Sequence, residues 1–362
     1  MGYIHDAHSR GQLSGNGYYT KKSQQWIAKL VNAKSVLLTH SCTSALEMSS
    51  LLFDIHPGDE VILPSYTFVS TANAFVLRGA VPVFIDIRPD TLNLDEALIQ
   101  AAITNKTKAI VPVHYAGVSC DMDHILAIAS ENNLRVIEDA AQSVLSKYKG
   151  RYLGSIGDVG AFSFHETKNI TSGEGGALLI NDPSIVNSAE VIWEKGTDRS
   201  QFLRGDVDKY TWRKWGSSFL PGEMVAAFLY AQLEASLEIT TERLRIWNGY
   251  HQRLQRLEEL ERLRRPIIPS YAEHNAHMYY VLVKNAANRT KVLNCLKEKG
   301  INAVSHYEPL HSSEAGKYYG RSVGLMENTD SLSSRIIRLP LWVGLQEIDL
   351  DRIAAALAEI LN

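Results

Sequence analysis

Residues 160–176 read GAFSFHETKNITSGEGG and place one lysine, Lys168, between an apolar segment and a glycine-rich turn. Residues 161–164 indicate a buried strand, and residues 173–176 indicate a turn that needs unusual dihedrals or close approach of another segment. A lysine held there has a lowered pKa, because desolvation disfavours the ammonium form, and a neutral amine can attack an aldehyde to form a Schiff base. The stretch therefore predicts a strand that ends in a covalent amine catalyst; the alternative is an exposed loop lysine whose ammonium group reaches water.

A second predicted strand carries carboxylates to the same region. VIEDAAQS, residues 136–143, delivers Glu138 and Asp139 to the carboxyl end of a sheet, where open α/β sheets bind ligands. A carboxylate there can pair with the protonated ring nitrogen of pyridoxal 5'-phosphate and keep that cofactor electron-poor. Gln142 could donate a hydrogen bond to the ring hydroxyl, and Glu138 is expected to face away because adjacent strand residues point to opposite faces. The alternative for Asp139 is a helix N-cap.

A strand-to-helix turn near the start of the chain is a candidate phosphate site. HSCTSAL, residues 40–46, joins the apolar strand 35–39 to a helical pattern through small hydroxyl residues. Such a turn presents free backbone N–H groups and the positive end of a helix dipole to an anion. Thr43 and Ser44 are therefore candidate phosphate contacts, and Ser163 could add a hydroxyl; an ordinary capped helix is the alternative.

Strand-like runs alternate with helical patterns through the first half of the chain, which predicts an α/β fold with a mainly parallel seven-stranded sheet. The runs lie at 35–40, 60–64, 82–87, 109–114, 135–139, 160–165 and 176–181. The residues expected to meet at one sheet edge are Thr43, Ser65, His114, Asp139 and Lys168. From about Thr240 a long charged helix and shorter segments predict a second α+β domain, so the expected domains are 1–239, with an N-terminal arm, and 240–362.

The composition favours a cytoplasmic protein. The chain has 362 residues, of which 45% are hydrophobic, and a formal net charge of −3, so no broad basic field suggests a nucleic-acid partner. Cys42, Cys120 and Cys295 are widely spaced, which argues for a reducing compartment and against a disulfide scaffold or a zinc site. No apolar run suggests a signal region or a membrane partner.

Motifs spread over nearly the whole chain resemble those of the sugar-nucleotide aminotransferases, the DegT-like branch of the fold-type-I pyridoxal phosphate enzymes. They are SCTSALEM, PSYTFVSTANA, VPVHYAG, EDAAQS, GDVGAFSFHETKNITSGEGG and RLPLW, in the family's order and spacing. RGDVDKYTW and NAHMYY make the chain most similar to the transaminases that convert a dTDP-4-keto-6-deoxyhexose to its 4-amino sugar. The resemblance implies an aspartate-aminotransferase-like fold, glutamate as amino donor, and a 4-amino-4,6-dideoxy sugar, galacto favoured, for cell-surface polysaccharide biosynthesis.

The resemblance also implies roles for single residues. Lys168 matches the lysine that binds the cofactor covalently, Asp139 matches the partner of the pyridine nitrogen, and Phe68 matches the aromatic side chain that stacks on the ring. The implied cofactor contacts are Thr43, Ser44, Phe68, Asp139, Gln142, Ser163, Lys168 and Ser218.

The resemblance further implies a homodimer with shared active sites, and the chain departs from the family pattern at two places. In this family the neighbouring subunit often supplies an asparagine from a GYNYRM-like segment to the phosphate. Here the segment is GSSFLP, residues 216–221, so Ser218 stands in that place. The chain opens at MGYIHDAHSRGQLSGNG, short of the family's usual N-terminal segment, so parts of the nucleotide-facing rim are expected to be missing or altered.

Candidate substrate contacts lie in two polar segments. Arg204 and Lys209 suit the substrate diphosphate, because charge-assisted hydrogen bonds favour arginine; solvated surface charges are the alternative. His311 and His306, in HYEPLH, could line the sugar entrance from the second domain.

Two further histidines lie in the cofactor motifs. His114 and His165 could orient the cofactor or assist proton transfer, and a buried structural histidine is the alternative for each.

Two functional alternatives accompany this prediction. One is a related enzyme, either a sugar 3-aminotransferase or a dehydratase. In the family's known dehydratase variants a histidine replaces the lysine, so Lys168 argues against dehydration. The other is a non-catalytic ligand sensor with the same fold, which the lack of a helix-turn-helix extension makes the weaker alternative.

Overall fold

The computed structural model of the protein describes residues 1–361, which form strands, α-helices and short 3-10 helices. The strands are β1 (Ser35–Thr39), β2 (Glu60–Pro64), β3 (Val81–Ile85), β4 (Thr107–Ile110), β5 (Arg135–Asp139), β6 (Lys147–Tyr148), β7 (Arg151–Tyr152), β8 (Val159–Ser163), β9 (Gly176–Ile180), β10 (Leu263–Arg264), β11 (Ala272–Glu273), β12 (Tyr279–Val283), β13 (Arg321–Ser322) and β14 (Ile336–Leu339). The α-helices are α1 (Gly2–Ser9), α2 (Tyr18–Val31), α3 (Cys42–Leu52), α4 (Val69–Val76), α5 (Ile99–Ala102), α6 (Met122–Glu131), α7 (Val186–Trp193), α8 (Arg199–Arg204), α9 (Glu223–Glu234), α10 (Ser236–Arg253), α11 (Gln255–Glu259), α12 (Ala286–Glu298), α13 (Glu314–Tyr319), α14 (Glu327–Ser333) and α15 (Glu347–Leu361). The 3-10 helices are Glu96–Leu98, Tyr115–Gly117, Pro183–Ile185 and Leu310–Ser312.

An eight-stranded sheet in the order β1-β9-β8-β5-β4-β2-β3-β13 forms the centre of the molecule. The strands from β8 to β13 pair in parallel, whereas β9 runs antiparallel to both β8 and β1. This confirms the α/β class and the mainly parallel sheet, and the seven predicted strands are all present. The prediction missed the eighth strand because β13 has only two residues, too few to carry a periodic pattern.

Apolar residues cover both faces of this sheet. Along β9, Leu178 and Ile180 pack into one hydrophobic cluster and Ala177 and Leu179 into another, so alternate residues point to opposite faces. Every residue of β9 is buried, as expected for a strand with helices on both sides.

The C-terminal part of the chain builds a second apolar core around the three-stranded sheet β10-β12-β14. Helices α10, α12 and α15 pack together around it. The predicted division at 239/240 lies inside α10, and β13 returns to pair with β3 of the large sheet. The division into domains 1–239 and 240–362 stays a prediction.

In a third sheet, β11-β6-β7, strand β11 (Ala272–Glu273) pairs with the β6-β7 hairpin that follows β5. Within residues 1–361, no helix is both long enough and apolar enough to cross a membrane.

The sheet register brings three chain segments to one edge. Thr39 at the end of β1 and Ser163 at the end of β8 both pair with Gly176, the first residue of β9. A Cβ atom on Gly176 would overlap the backbone of Ser41 and Cys42, so this close approach requires glycine. The turn after β1 and the lysine loop between β8 and β9 therefore meet at the same place.

Candidate functional site

A cavity of about 420 Å³ opens at this edge of the large sheet, which is a volume typical of small-molecule sites. The predicted residues in its wall are Thr43, Phe68, Asp139, Gln142, Ser163, His165, Lys168 and His306. Among the residues expected at the sheet edge, Ser65 and His114 lie outside the wall.

Lys168 lies half-buried in the loop between β8 and β9. Its amine has no hydrogen bond or ion pair with any of residues 1–361, and its backbone N–H donates to the His165 carbonyl at 2.9 Å. Burial lowers the pKa of the Lys168 amine below its ordinary value, against smaller opposing effects of Cys42 and Asp139. The amine is thus shifted toward the neutral, nucleophilic form that the sequence predicts.

Asp139 ends β5 with its carboxylate fixed by two hydrogen bonds. Oδ2 accepts from the Thr71 hydroxyl at 2.7 Å, and Oδ1 accepts from the Ala141 N–H at 3.2 Å. Thr71, on α4, in turn lies 2.8 Å from the hydroxyl of Thr67. These bonds hold the carboxylate in the wall while leaving its other lone pairs for a cationic partner.

Glu138 faces away from the cavity, as the strand alternation predicts. Its carboxylate accepts from three backbone N–H groups of residues 154–157, at 2.6 to 2.8 Å, and lies 3.0 Å from His114 Nε2. His114 Nδ1 accepts from the Cys120 N–H at 3.2 Å, so the proton belongs on Nε2, which donates to Glu138. His114 is therefore a buried structural histidine, the second of the two alternatives.

The N-terminus of α3 forms one end of the cavity. Ser41, its N-cap, accepts from the Ser44 N–H at 3.0 Å, so this amide is already used and Ser44 lies outside the wall. Within residues 1–361 the first-turn amides of Cys42 and Thr43 have no acceptor. An anion can bind to such free amides. Ser41 and Cys42, which were not predicted from the sequence, line the wall together with Thr43.

Gln142 holds a fixed orientation in the cavity wall. Its Oε1 accepts from the Ala116 N–H at 2.7 Å, which leaves Nε2 to donate to the Tyr307 hydroxyl at 3.1 Å. The Phe68 ring lies 6.1 Å from the Tyr307 ring and is 55% exposed. A planar ligand between Phe68 and the sheet would thus find an amide donor at its edge.

The C-terminal region contributes four wall residues: His277, His306, Tyr307 and Arg338. Of these, only His306 was a candidate site residue from the sequence. The His306 and Tyr307 rings stack at 3.7 Å, and the Tyr115 hydroxyl lies 2.7 Å from His306 Nδ1. Burial, with the nearby Arg338 charge, lowers the pKa of His306 to about 2, so its imidazole is neutral.

His277 is also neutral, since burial lowers its pKa well below the ordinary value. Its Nδ1 lies 3.1 Å from Asn169 Oδ1, and Asn169 Nδ2 donates to the Asn275 carbonyl at 2.8 Å. This network joins His277 to the residue after Lys168. His277 lies in the motif NAHMYY, which served in the sequence only as evidence of family resemblance and not as a source of site residues.

Four other predicted residues lie outside the wall of this single chain. His311 Nδ1 lies 2.7 Å from the Ser65 hydroxyl, and Arg204 donates two hydrogen bonds to Glu190 at 2.8 and 2.9 Å. Lys209 and Ser218 are exposed. Their substrate and phosphate contacts stay predictions.

The wall fits pyridoxal 5'-phosphate at three of its chemical groups. Free amides at the α3 N-terminus suit the phosphate, the Lys168 amine suits the aldehyde, and the Asp139 carboxylate suits a protonated ring nitrogen. All three lie on one cavity.

Comparison with known proteins agrees with this fit. The sequence profile of the DegT/DnrJ/EryC1/StrS aminotransferase family matches residues 1–358. The chain is 34% identical to the spore coat polysaccharide biosynthesis protein SpsC of Bacillus subtilis, covering 97% of this chain and 92% of that protein. It is 33% identical to the GDP-perosamine synthase of Caulobacter vibrioides, covering 99% and 94%.

Solved structures show the same fold. An aminotransferase from Psychrobacter cryohalolentis is similar with a TM-score of 0.93 at 27% identity, covering 99% of this chain and 96% of that one. A DegT DnrJ EryC1 StrS aminotransferase from Brucella abortus is similar with a TM-score of 0.90 at 29% identity, covering 99% and 94%.

Proposed function

Because the chain belongs to the DegT/DnrJ/EryC1/StrS aminotransferase family, whose members are pyridoxal-phosphate-dependent sugar aminotransferases, we propose that it aminates the 4-keto carbon of a dTDP-4-keto-6-deoxyhexose. Glutamate is the proposed donor, and dTDP-4-amino-4,6-dideoxygalactose is the proposed product, for use in cell-surface polysaccharide. The observation that carries the transamination is the presence of Lys168 and Asp139 in the wall of one cavity. The segments RGDVDKYTW and NAHMYY support the choice of sugar.

Pyridoxal phosphate supplies an electron sink that stabilises the carbanion left when the donor's α-carbon loses its proton. Lys168 would hold the cofactor, and its lowered pKa keeps Nζ able to accept that proton once the amine is free. A positioned general acid/base of this kind contributes roughly 10²–10⁴-fold to the rate. Asp139, oriented by Thr71, would keep the ring nitrogen protonated.

The remaining cofactor contacts are proposals of the same kind. We assign Thr43, Ser44 and Ser163 to the phosphate, Phe68 and Gln142 to the ring, and Ser218 to the phosphate of a neighbouring subunit in a homodimer. We also propose a cytoplasmic site of action, in line with three free cysteines.

A substrate panel tests the proposed function. Pure protein with pyridoxal phosphate and glutamate is incubated with 4-keto and 3-keto sugars linked to dTDP or GDP, and amino-sugar products are identified by mass spectrometry and NMR. We expect amination at C4 of the dTDP-linked 6-deoxy sugar with galacto configuration. Amination at C3, a gluco product, or a preference for the GDP-linked sugar would each replace the corresponding part of the proposal.

A further inference from the structure

The side chain of Glu96, in the 3-10 helix that precedes α5, is a buried carboxylate with one unused oxygen. Only 9% of this side chain is exposed, and its Oε1 accepts a hydrogen bond from the Arg88 guanidinium. Its Oε2 is buried and has no hydrogen-bond partner within residues 1–361. A buried acceptor without a donor is unfavourable, and more so when it is charged. This oxygen therefore favours a ligand from outside the chain, which is either a cation or a water molecule.

Two further side chains that can bind a metal lie beside this carboxylate, at the N-terminus of α6. Asp121 is the N-cap of that helix, and His124 follows three residues later. One ligand atom from each of Glu96, Asp121 and His124 lies within 4.8 Å of the other two. No other group of three His, Cys, Asp or Glu side chains in the described part of the chain comes together in this way.

The spacing of these atoms is close to what one ion requires. Ligands at about 2.1 Å from a tetrahedral Zn²⁺ lie about 3.4 Å apart. Asp121 Oδ2 is already 3.4 Å from His124 Nδ1. The His124 side chain is 70% exposed, so it is free to rotate and close the remaining gap.

Neighbouring groups orient both carboxylates. The Arg88 guanidinium donates to Glu96 Oε1. The Tyr148 hydroxyl donates to Asp121 Oδ1 at 2.8 Å. Burial opposes ionisation of Asp121, but this bond and the one from the His124 N–H outweigh it and leave the pKa of Asp121 below its ordinary value. Outer contacts of this kind are typical of metal sites, where they orient the ligands.

The charge balance around these side chains favours a dication. Arg88 forms ion pairs with both Asp90 and Glu96, so one guanidinium lies between two carboxylates. Asp121 adds a third negative charge, and its only ion-pair partner within residues 1–361 is His124. A histidine is neutral when it binds a metal. The carboxylates therefore leave an excess of negative charge beside Arg88.

We propose that Glu96, Asp121 and His124 bind a divalent transition-metal ion such as Zn²⁺, with water as the fourth ligand. Two carboxylate oxygens and one imidazole nitrogen suit Zn²⁺, whereas Mg²⁺ and Ca²⁺ take oxygen ligands. The ion joins the segment after β3 to the start of α6 and stabilises their packing. None of the three residues lines the cavity wall, so this proposal does not depend on the proposed transamination.

This metal site has no signature in the sequence. Glu96 precedes Asp121 by 25 residues, a separation that matches no metal-binding motif. The wide spacing of the cysteines argues only against a cysteine-based zinc site, and this site uses none of them. Its ligands meet because the two segments pack into one hydrophobic cluster, to which Leu94 and Met122 both contribute.

Metal titration of the cofactor-loaded, tag-free protein tests the proposal. The protein is stripped of metal with a chelator, freed of excess cofactor and titrated with Zn²⁺ in a calorimeter, with Mg²⁺ and Ca²⁺ titrated in parallel. We expect one Zn²⁺ per chain, bound more tightly than Mg²⁺ or Ca²⁺. The thermal unfolding midpoint should rise with Zn²⁺ concentration, because an ion that binds the folded chain in preference to the unfolded chain stabilises it.

Two ligand variants and one control locate the ion. His124→Asn and Glu96→Gln should each weaken Zn²⁺ binding at least about 10-fold, since the loss of even an outer contact in a metal site costs that much. The matched control is His56→Asn, which should leave Zn²⁺ binding unchanged. His56 Nε2 also lies 3.4 Å from a carboxylate, that of Asp54, but it belongs to no group of three ligands.

Three results would overturn the proposal. If the wild-type protein binds no Zn²⁺, the partner of Glu96 Oε2 is a water molecule. If His124→Asn binds Zn²⁺ as well as wild type does, or if His56→Asn loses as much, the ion lies elsewhere on the surface. Binding of Mg²⁺ or Ca²⁺ as tight as that of Zn²⁺ would exclude His124 as a ligand. His124→Asn decides the question even if Glu96→Gln does not fold, because the His124 side chain is exposed.

Discussion

Lys168 and Asp139 are the two residues on which the proposed chemistry depends, and a separate prediction follows for each. Lys168→Ala should abolish the covalent cofactor link while retaining the fold, because the side chain bonds to none of residues 1–361. Borohydride reduction followed by peptide mapping checks this. Wild-type protein in which no cofactor is trapped on the peptide containing Lys168 would show that the lysine assignment is wrong.

Asp139→Asn should still bind the cofactor but react roughly 10²–10³-fold more slowly, the scale seen when one preorganised electrostatic contact is lost. A neutral amide keeps the hydrogen bond with Thr71 in reach but cannot stabilise a pyridinium charge. Single-turnover rates with glutamate measure the effect. A variant as fast as wild type would mean that another group holds the ring nitrogen.

At the scale of elements, the turn into α3 and the start of β9 share one narrow space at Gly176. Gly176→Ala should destabilise the protein by about 1–3 kcal/mol, because its Cβ would push the backbone of Ser41 and Cys42 away from the wall. The affinity for pyridoxal 5'-phosphate should fall as well, because the displaced backbone forms the proposed phosphate site. Denaturant unfolding and cofactor titration measure the two effects, and Gly2→Ala, which has open space around it, is the control. If the two variants were equally stable, the backbone of Ser41 and Cys42 would have room for a Cβ atom at position 176.

The segments that carry His274, His277 and His306 should make the protein sensitive to acid. Burial lowers the pKa of all three, to about 4 for His274 and about 2 for His306. Below the unfolded pKa of about 6.5 the unfolded chain binds protons that the folded chain does not. Each histidine therefore removes about 1.4 kcal/mol of stability per pH unit as pH falls from about 6.5 toward its folded pKa.

His306→Asn gives the corresponding measurement. Its stability deficit against wild type should be constant above about pH 7 and should shrink by about 1.4 kcal/mol per unit below about pH 6. Urea unfolding at pH 8, 7, 6 and 5 supplies the series. A deficit that stays constant down to pH 5 would mean that His306 takes up a proton as readily in the folded protein as in the unfolded chain.

At the scale of the whole molecule, the predicted homodimer is supported by the surface around Ser218. Trp212 is 81% exposed and Trp215 is 45% exposed in the segment that leads to it. Exposed apolar side chains in one segment are typical of an interaction surface. Ser218 is itself exposed, so in a single chain it is free to reach a second copy.

Mixing two inactive variants tests this assembly. Lys168→Ala chains and Ser218→Trp chains should together form hybrid dimers with one doubly altered and one intact site. Random exchange at equal amounts makes half of the dimers hybrid, so about a quarter of wild-type activity should return. If subunits demonstrably exchange and no activity returns, each site is built from one chain and Ser218 is not a cofactor contact.

The sequence by itself determined the α/β class, the seven main strands and the expectation that Lys168 and Asp139 lie at one site. Those features follow from local patterns, because an apolar run of about five residues fixes a buried parallel strand and its end residue lies at the sheet edge. The sequence left the roles of His114 and His165 open, because it did not show whether each side chain points toward the cofactor or into the protein interior. It also missed Thr71, which bonds to Asp139 across 68 positions of the chain.

Only the tertiary structure decided which distant side chains complete the cavity. His277, His306 and Arg338 follow Lys168 by more than 100 residues. They reach the cavity wall because β12 and its neighbours pack in one hydrophobic cluster with Tyr66 and Tyr115 of the N-terminal part of the chain. The pairing of β13 with β3 likewise joins two residues to a strand more than 230 positions earlier. Such contacts depend on how distant segments pack together. Hydrophobic periodicity within one segment shows which face of that helix or strand is buried, but it does not show which other segment covers that face.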